Sequence, residues 1–152
     1  MLKKITTISL VLLVISVFFY FGNNPQEAKA KMKVYMTPNC GCCKTYSRIM
    51  NRNYDVDREI VSSEEMKRVK QEKGVPPELY SCHTTIIENY VVEGHVPMEA
   101  IEKLRKESPE VGGIGMADMP QGSPGMPGKQ IRPFKIYEIS SPGKAGELFL
   151  EL

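Results

Sequence analysis

The sequence predicts an α/β domain of order β-α-β-α-β-β-α, and three observations carry that prediction. Apolar residues switch between the two-residue alternation of strands and the 3.6-residue recurrence of helices. Capping and breaking residues fall where the period changes. Three of the four cysteines, Cys40, Cys42 and Cys43, cluster where the first strand gives way to the first helix.

The N-terminus precedes that domain. Lys3 and Lys4 are followed by an uncharged, largely apolar run from Ile5 to Gly22 and then by Ala28-Lys29-Ala30. That is the layout of a secretory signal peptide with a small-x-small cleavage site, so residues 1–30 read as signal and residues 31–152 as the domain. The alternative is an uncleaved membrane anchor, since the run of 18 residues is just short of the roughly 20 that span a bilayer. The expected location is exported, the periplasm first, with the anchored form facing the exterior as the other choice. The membrane is involved only through this segment.

Within the domain, Lys33-Val34-Tyr35-Met36 reads as a strand and Thr37-Pro38-Asn39 as the turn into the cysteines. Cys42, Cys43, Tyr46, Ile49 and Met50 recur at helical spacing, so the thiols sit at a helix N-terminus, the helix ending near Asn53. A weakly alternating strand follows over Val56 to Val61, with Asp55, Asp57 and Glu59 on its wet side. Ser62-Ser63-Glu64-Glu65 then supplies a capping box for a helix that Gly74 and Pro76-Pro77 stop. Along that helix Lys67, Arg68, Lys70 and Lys73 alternate with acids and read as solvated.

Thr84 to Glu88 and Tyr90 to Glu93 are β-branched or aromatic and meet around Asn89, predicting a hairpin. Pro97 opens a third helix with Met98, Ile101 and Leu104 on one face. From Pro109 to Gly128 glycine, proline and methionine dominate, which predicts a long loop; loops of that length are usually functional or disordered. Two strands, Phe134 to Ile139 and Glu147 to Leu150, form a C-terminal extension.

Charge excludes one class of partner. Without residues 1–30 the chain has 122 residues, with 17 basic and 17 acidic side chains. A nucleic-acid partner needs concentrated positive surface, and a balanced exported domain lacks it. The nucleotide and hydrolase signatures also fail: neither Gly128-Lys129 nor Gly143-Lys144 is followed by Ser or Thr, and Gly122-Ser123-Pro124-Gly125 lacks the spacing of a nucleophile elbow.

The cysteines carry the chemistry. Cys40 and Cys43 form a CxxC pair suited to thiol–disulfide exchange, with helix-terminal N–H groups to stabilise a thiolate at Cys40. Cys42 and the distant Cys82 are surplus to that pair. Two structural disulfides are one alternative, although pairing within the tetrad closes only a tiny loop and adds little stability. Zinc held by three cysteines and one histidine is another, but four cysteines with a histidine over-supply it. Cu(I) selects thiolates, and bridging thiolates suit a site with several such ions.

The element order with CxxC at the first helix resembles the thioredoxin fold. In that fold the third strand runs antiparallel to the first, which by analogy brings Cys82 and His83 to face Cys40, with His95 near His83 in a supporting role. Thioredoxin-type enzymes match less well: no Trp precedes Cys40, no Pro lies between Cys40 and Cys43, and His83 falls where those enzymes place a cis-proline.

The segments Tyr35-Met36-Thr37-Pro38-Asn39-Cys40-Gly41-Cys42-Cys43, Gly74-Val75-Pro76-Pro77-Glu78-Leu79, Ser81-Cys82-His83-Thr84, Val92-Glu93-Gly94-His95-Val96-Pro97, and Met119-Pro120 with Gly122-Ser123-Pro124-Gly125-Met126 resemble the CopG-type family of exported, thioredoxin-like, copper-associated proteins. The resemblance spans residues 32–139. It implies Cu(I) bound by Cys40, Cys42, Cys43 and Cys82 with His83 assisting, a role in copper resistance or handling, and copper ions and other exported copper-handling proteins as partners. The alternative is a thiol–disulfide oxidoreductase with Cys40 and Cys43 as its catalytic pair. Met116, Met119 and Met126 are soft enough to ligate Cu(I), but read first as apolar plugs that dock the loop, with direct ligation by Met119 or Met126 the alternative.

Overall fold

The computed structural model describes residues 28–140 and 143–152, so all but the last three residues of the predicted signal segment lie outside the described residues. Among the described residues, three α-helices and seven strands follow in the order β1 (Lys31–Met36), α1 (Gly41–Met50), β2 (Asp55–Ile60), α2 (Ser63–Glu72), β3 (His83–Ile87), β4 (Tyr90–Glu93), α3 (Met98–Glu107), β5 (Gly113–Gly115), β6 (Lys135–Ser140) and β7 (Lys144–Glu151), with a 3₁₀ turn at Pro77–Leu79 before β3. The first seven elements have the predicted thioredoxin-like order. Among the described residues no helix is long and apolar enough to cross a membrane.

One sheet joins all seven strands in the order β2-β1-β3-β4-β5-β6-β7. β1 pairs parallel with β2 and antiparallel with β3, and β3 and β4 form the hairpin. Side chains alternate across the sheet. Met32, Val34, Ile87 and Val92 bury against Tyr46 and Met50 of α1 and Ala100, Ile101 and Leu104 of α3. Across the sheet, Val91 and Ile139 pack with Val75 and Leu79, and Met66 and Val69 of α2 are buried. β2 is an edge strand and stays wet, with Ile60 exposed.

Local signals fix the helix starts. The Ser62 hydroxyl accepts the Glu65 N–H at 3.1 Å, as the predicted cap requires. Pro97 is the N-cap of α3, where its missing N–H costs nothing. The β3–β4 turn falls at Glu88-Asn89 as expected, with Glu88 in the left-handed region (φ 52°). The Glu88 carboxylate meets Arg105 at 2.6 Å, a contact from α3 that steadies this turn.

Two expectations are corrected. The Pro109–Gly128 stretch contains a strand, β5, which pairs parallel with β4 through Val91↔Gly113 and Glu93↔Gly115 and antiparallel with β6. A Cβ at Gly113 would collide with the Val91 backbone, so glycine reflects close strand approach here as well as looping. Lys70 is buried rather than solvated, ion-paired with buried Glu93. Lys67, Arg68 and Lys73 are exposed as expected.

Candidate metal centre

Three backbone segments converge on the site. Cys40 follows the Thr37 turn and is the N-cap of α1, its sulfur accepting the Cys43 N–H at 3.3 Å. Cys43 is buried on the inner side of α1, while Cys40 and Cys42 are half-buried. The antiparallel pairing Met36↔His83 brings the start of β3, and with it Cys82, beside the end of β1 where the cysteine cluster begins.

The hairpin register supplies the third segment. Ile87 pairs with Tyr90 and Thr84 with Glu93, and the Gly94 N–H donates to the His83 carbonyl at 3.0 Å. Continued by one residue, that register sets His95 across from Cys82. Its Nε2 lies 2.9 Å from Cys82 Sγ, closer than His83 Nδ1 at 3.3 Å.

The four sulfurs form one cluster. Cys40 and Cys43 are joined by a disulfide, and Cys42 and Cys82 are free thiols. Cys42 Sγ lies 3.4 Å from Cys40 Sγ and 3.9 Å from Cys82 Sγ, and Cys43 Sγ lies 3.5 Å from Cys82 Sγ. All four ligand atoms lie within 4.8 Å of one another, as do those of Cys82, His83 and His95. Every predicted site residue is therefore in one place, and His95 joins them in contact with sulfur rather than behind it.

The two histidines are not equivalent. His95 Nδ1 donates to the Pro124 carbonyl at 2.7 Å, which leaves the lone pair of the neutral ring on Nε2, aimed at Cys82. Metal-ligating histidines are commonly held this way, with the second nitrogen bonded to a carbonyl. His83 is fully buried and its Nε2 has no hydrogen-bond partner, so a metal on its Nδ1 would leave a buried N–H unpaired. It packs on Tyr46, ring centroids 4.3 Å apart, and Tyr46 donates its hydroxyl to the Val96 carbonyl at 3.2 Å.

Burial sets the proton affinities. It lowers both histidines, His83 well below the usual range, so both rings are neutral. It pushes the Cys82 thiol up to about 12, with the neighbouring Cys42 adding to the effect. A cation among these sulfurs would reverse that balance, since coordination favours the thiolate. The expected thiolate at Cys40 is absent in this state, because that sulfur is bonded to Cys43.

The Gly/Pro/Met loop closes over the cluster. Successive turns bond Ser123 N–H to the Pro120 carbonyl and Met126 N–H to the Ser123 carbonyl. Gly125, at φ +88°, lies so close to α1 that a Cβ would stand 2.7 Å from the Cys42 carbonyl oxygen and 2.9 Å from Tyr46 N. The Ser81 hydroxyl donates to the Asp118 carbonyl at 2.6 Å, tying the loop to the Cys82 segment. Met116 is buried in the main core, which fits the docking reading; Met119 is 47% exposed and Met126 half-buried.

Fold and site together define a class: a thioredoxin-like α/β domain whose helix-terminal thiols face a cysteine–histidine pair on the adjoining hairpin. Residues 79–126 match the family described as "Protein of unknown function, DUF411". Two solved structures, "Copper resistance protein copG", Form 1 and Form 2, are similar at 32% and 33% identity, each with a TM-score of 0.72, covering 82% of this chain and 98% of theirs. No curated protein sequence matches. The chain belongs to the CopG-type, DUF411 family.

Proposed function

We propose that this chain binds Cu(I) through Cys40, Cys42, Cys43 and Cys82, with His95 as the nitrogen ligand, and serves copper resistance or handling outside the cytoplasm. One observation carries the reading: four sulfurs lie within 4.8 Å of one another, more soft donors than a single disulfide exchange uses. The relatives named for copper resistance support it. The donor set fits, since two-electron reduction of the Cys40–Cys43 bond by an external dithiol, itself oxidised to its disulfide, adds two thiolates to Cys42 and Cys82. Bound Cu(I) would supply a soft cation that bridging thiolates share. The nitrogen role moves from His83 to His95, because only His95 has an acceptor for its second nitrogen.

A specific observation also favours thiol–disulfide exchange. The Cys40–Cys43 disulfide joins a half-buried sulfur to a buried one. A partner thiolate attacking Cys40 Sγ would break that bond and release Cys43 as the thiolate; in the reverse direction Cys43 resolves the mixed disulfide.

Anaerobic Cu(I) titration of the reduced protein, beside a disulfide-reduction assay, separates the two. Under the copper reading Cys42→Ser lowers Cu(I) stoichiometry or affinity about as much as Cys40→Ser, Cys43→Ser or Cys82→Ser. Full copper binding by Cys42→Ser, with exchange lost only in the Cys40 and Cys43 variants, would replace it with the enzyme.

A further inference from the structure

We infer that the buried Lys70–Glu93 ion pair is a positioning device for Cys82, holding from beneath the sheet the segment that presents this sulfur to the cluster. The purpose assigned to it rests on the proposed metal site; the placement itself does not.

Glu93 and Lys70 are almost wholly buried, and their pairing spans β4 and α2. Glu93 Oε1 also accepts the Ser81 N–H at 2.7 Å, and Oε2 accepts the Thr84 hydroxyl at 2.7 Å. Lys70 Nζ donates to Thr84 Oγ1 at 3.0 Å, and its charge lies 5.7 Å from the centre of the Tyr80 ring. Ser81 and Thr84 are the residues on either side of Cys82-His83. One carboxylate therefore grips the chain immediately before Cys82 and immediately after His83, and stands two residues before His95, which lies just beyond the end of β4.

Stability alone gives a poor reason for such a pair. Desolvating two charges consumes most of their attraction, and apolar replacements of similar volume are often neutral or stabilising. What an apolar pair cannot do is accept the Ser81 N–H. Backbone at that point is irregular, between the 3₁₀ turn and β3, with the Ser81 hydroxyl already committed to Asp118. The carboxylate is the Ser81 N–H acceptor that the structure provides, so Cys82 owes its backbone placement to Glu93, and Lys70 holds the Glu93 side chain in turn.

The test separates placement from stability. In the oxidised, metal-free protein Cys42 and Cys82 are the free thiols, so their iodoacetamide labelling ratio, read by peptide mass spectrometry, reports Cys82 placement against an internal control. Lys70→Met/Glu93→Leu should keep its urea midpoint close to the parent while labelling of Cys82 relative to Cys42 changes by about tenfold or more. Glu93→Gln keeps a carbonyl oxygen for Ser81 and should hold the ratio within about twofold, although it loses the charge and is the less stable protein. After reduction, Cu(I) affinity by chelator competition should follow the labelling ratio, falling about 10- to 100-fold in the double variant. An unchanged ratio in the double variant, or an equal change in Glu93→Gln, overturns the inference. If the double variant does not fold, the ratio in Glu93→Gln still decides, because a shift of tenfold there contradicts placement through the hydrogen bond. A changed ratio with unchanged Cu(I) affinity would uphold the placement and remove the copper reading instead.

Discussion

The two faces of the β3–β4 hairpin bury polar groups in opposite styles. Beneath the sheet, Lys70, Glu93 and Thr84 satisfy one another and the Ser81 N–H. Above it, the sulfurs contact one another, His83 Nε2 and Thr85 Oγ1 have no partner, and His95 directs a lone pair at Cys82. A closed network leaves no buried polar group without a partner. An open cluster of soft donors, tolerated although unpaired polar atoms are costly, is what the proposed copper site would need.

Breaking the closed side should do the most damage. Glu93→Leu alone strands the Lys70 ammonium, and urea denaturation should show a loss of about 3–5 kcal/mol. A loss below about 1 kcal/mol would mean that water reaches Lys70 and the network is not closed.

The open side should reveal itself through pH. Both histidines are lowered on folding, so below about 6.5 the unfolded chain binds more protons than the native one and stability falls as pH falls. Above that range they contribute no slope. For His83 the ceiling is about 1.4 kcal/mol per pH unit, and His95, lowered less far, adds less. Thermal melts of the metal-free protein from pH 7.5 to 5 should decline, and His83→Phe should flatten the decline; equal slopes in the two proteins would place the effect elsewhere.

A third test loosens the loop that aims His95. Gly125→Ala puts a methyl group against the Cys42 carbonyl at a positive φ, and should cost more than about 1 kcal/mol. Cu(I) affinity should fall with it. Parent-like melting and affinity would show that the loop shifts freely.

The smallest effect sharpens the contrast most. His83→Phe removes an unpaired buried nitrogen and keeps the packing on Tyr46, so metal-free stability should stay within about 1 kcal/mol of the parent or rise. Cu(I) affinity should drop far more in His95→Phe than in His83→Phe. The reverse ranking would return the ligand role to His83.

Much of this was legible in the sequence. The Ser62 cap, the Pro97 helix start and the position of the cysteines on α1 are local signals, and each element formed where its own residues specified it. Strand β5 was hidden because glycines chosen for close approach look the same as glycines chosen for turns. Lys70 was hidden because its partner is 23 residues away, and a helix's charge pattern does not show which lysine faces a buried acid. His95 was expected near His83 in a supporting role, and its direct contact with Cys82 was also within reach: a two-residue turn at Glu88-Asn89 pairs Ile87 with Tyr90, and counting outward reaches Cys82 opposite His95.

The Pro124 contact has a consequence for how this loop tolerates change. It reaches His95 with a main-chain oxygen, an atom every residue type carries, so the identity of the side chain at that position is free of the contact itself. Length is not. Inserting or deleting one residue between Pro120 and Met126 would present a different carbonyl, or none, to the imidazole, and the ring's proton would be free to move to the nitrogen facing the sulfur. Among homologous loops the length should therefore be held more firmly than the residue that stands at position 124.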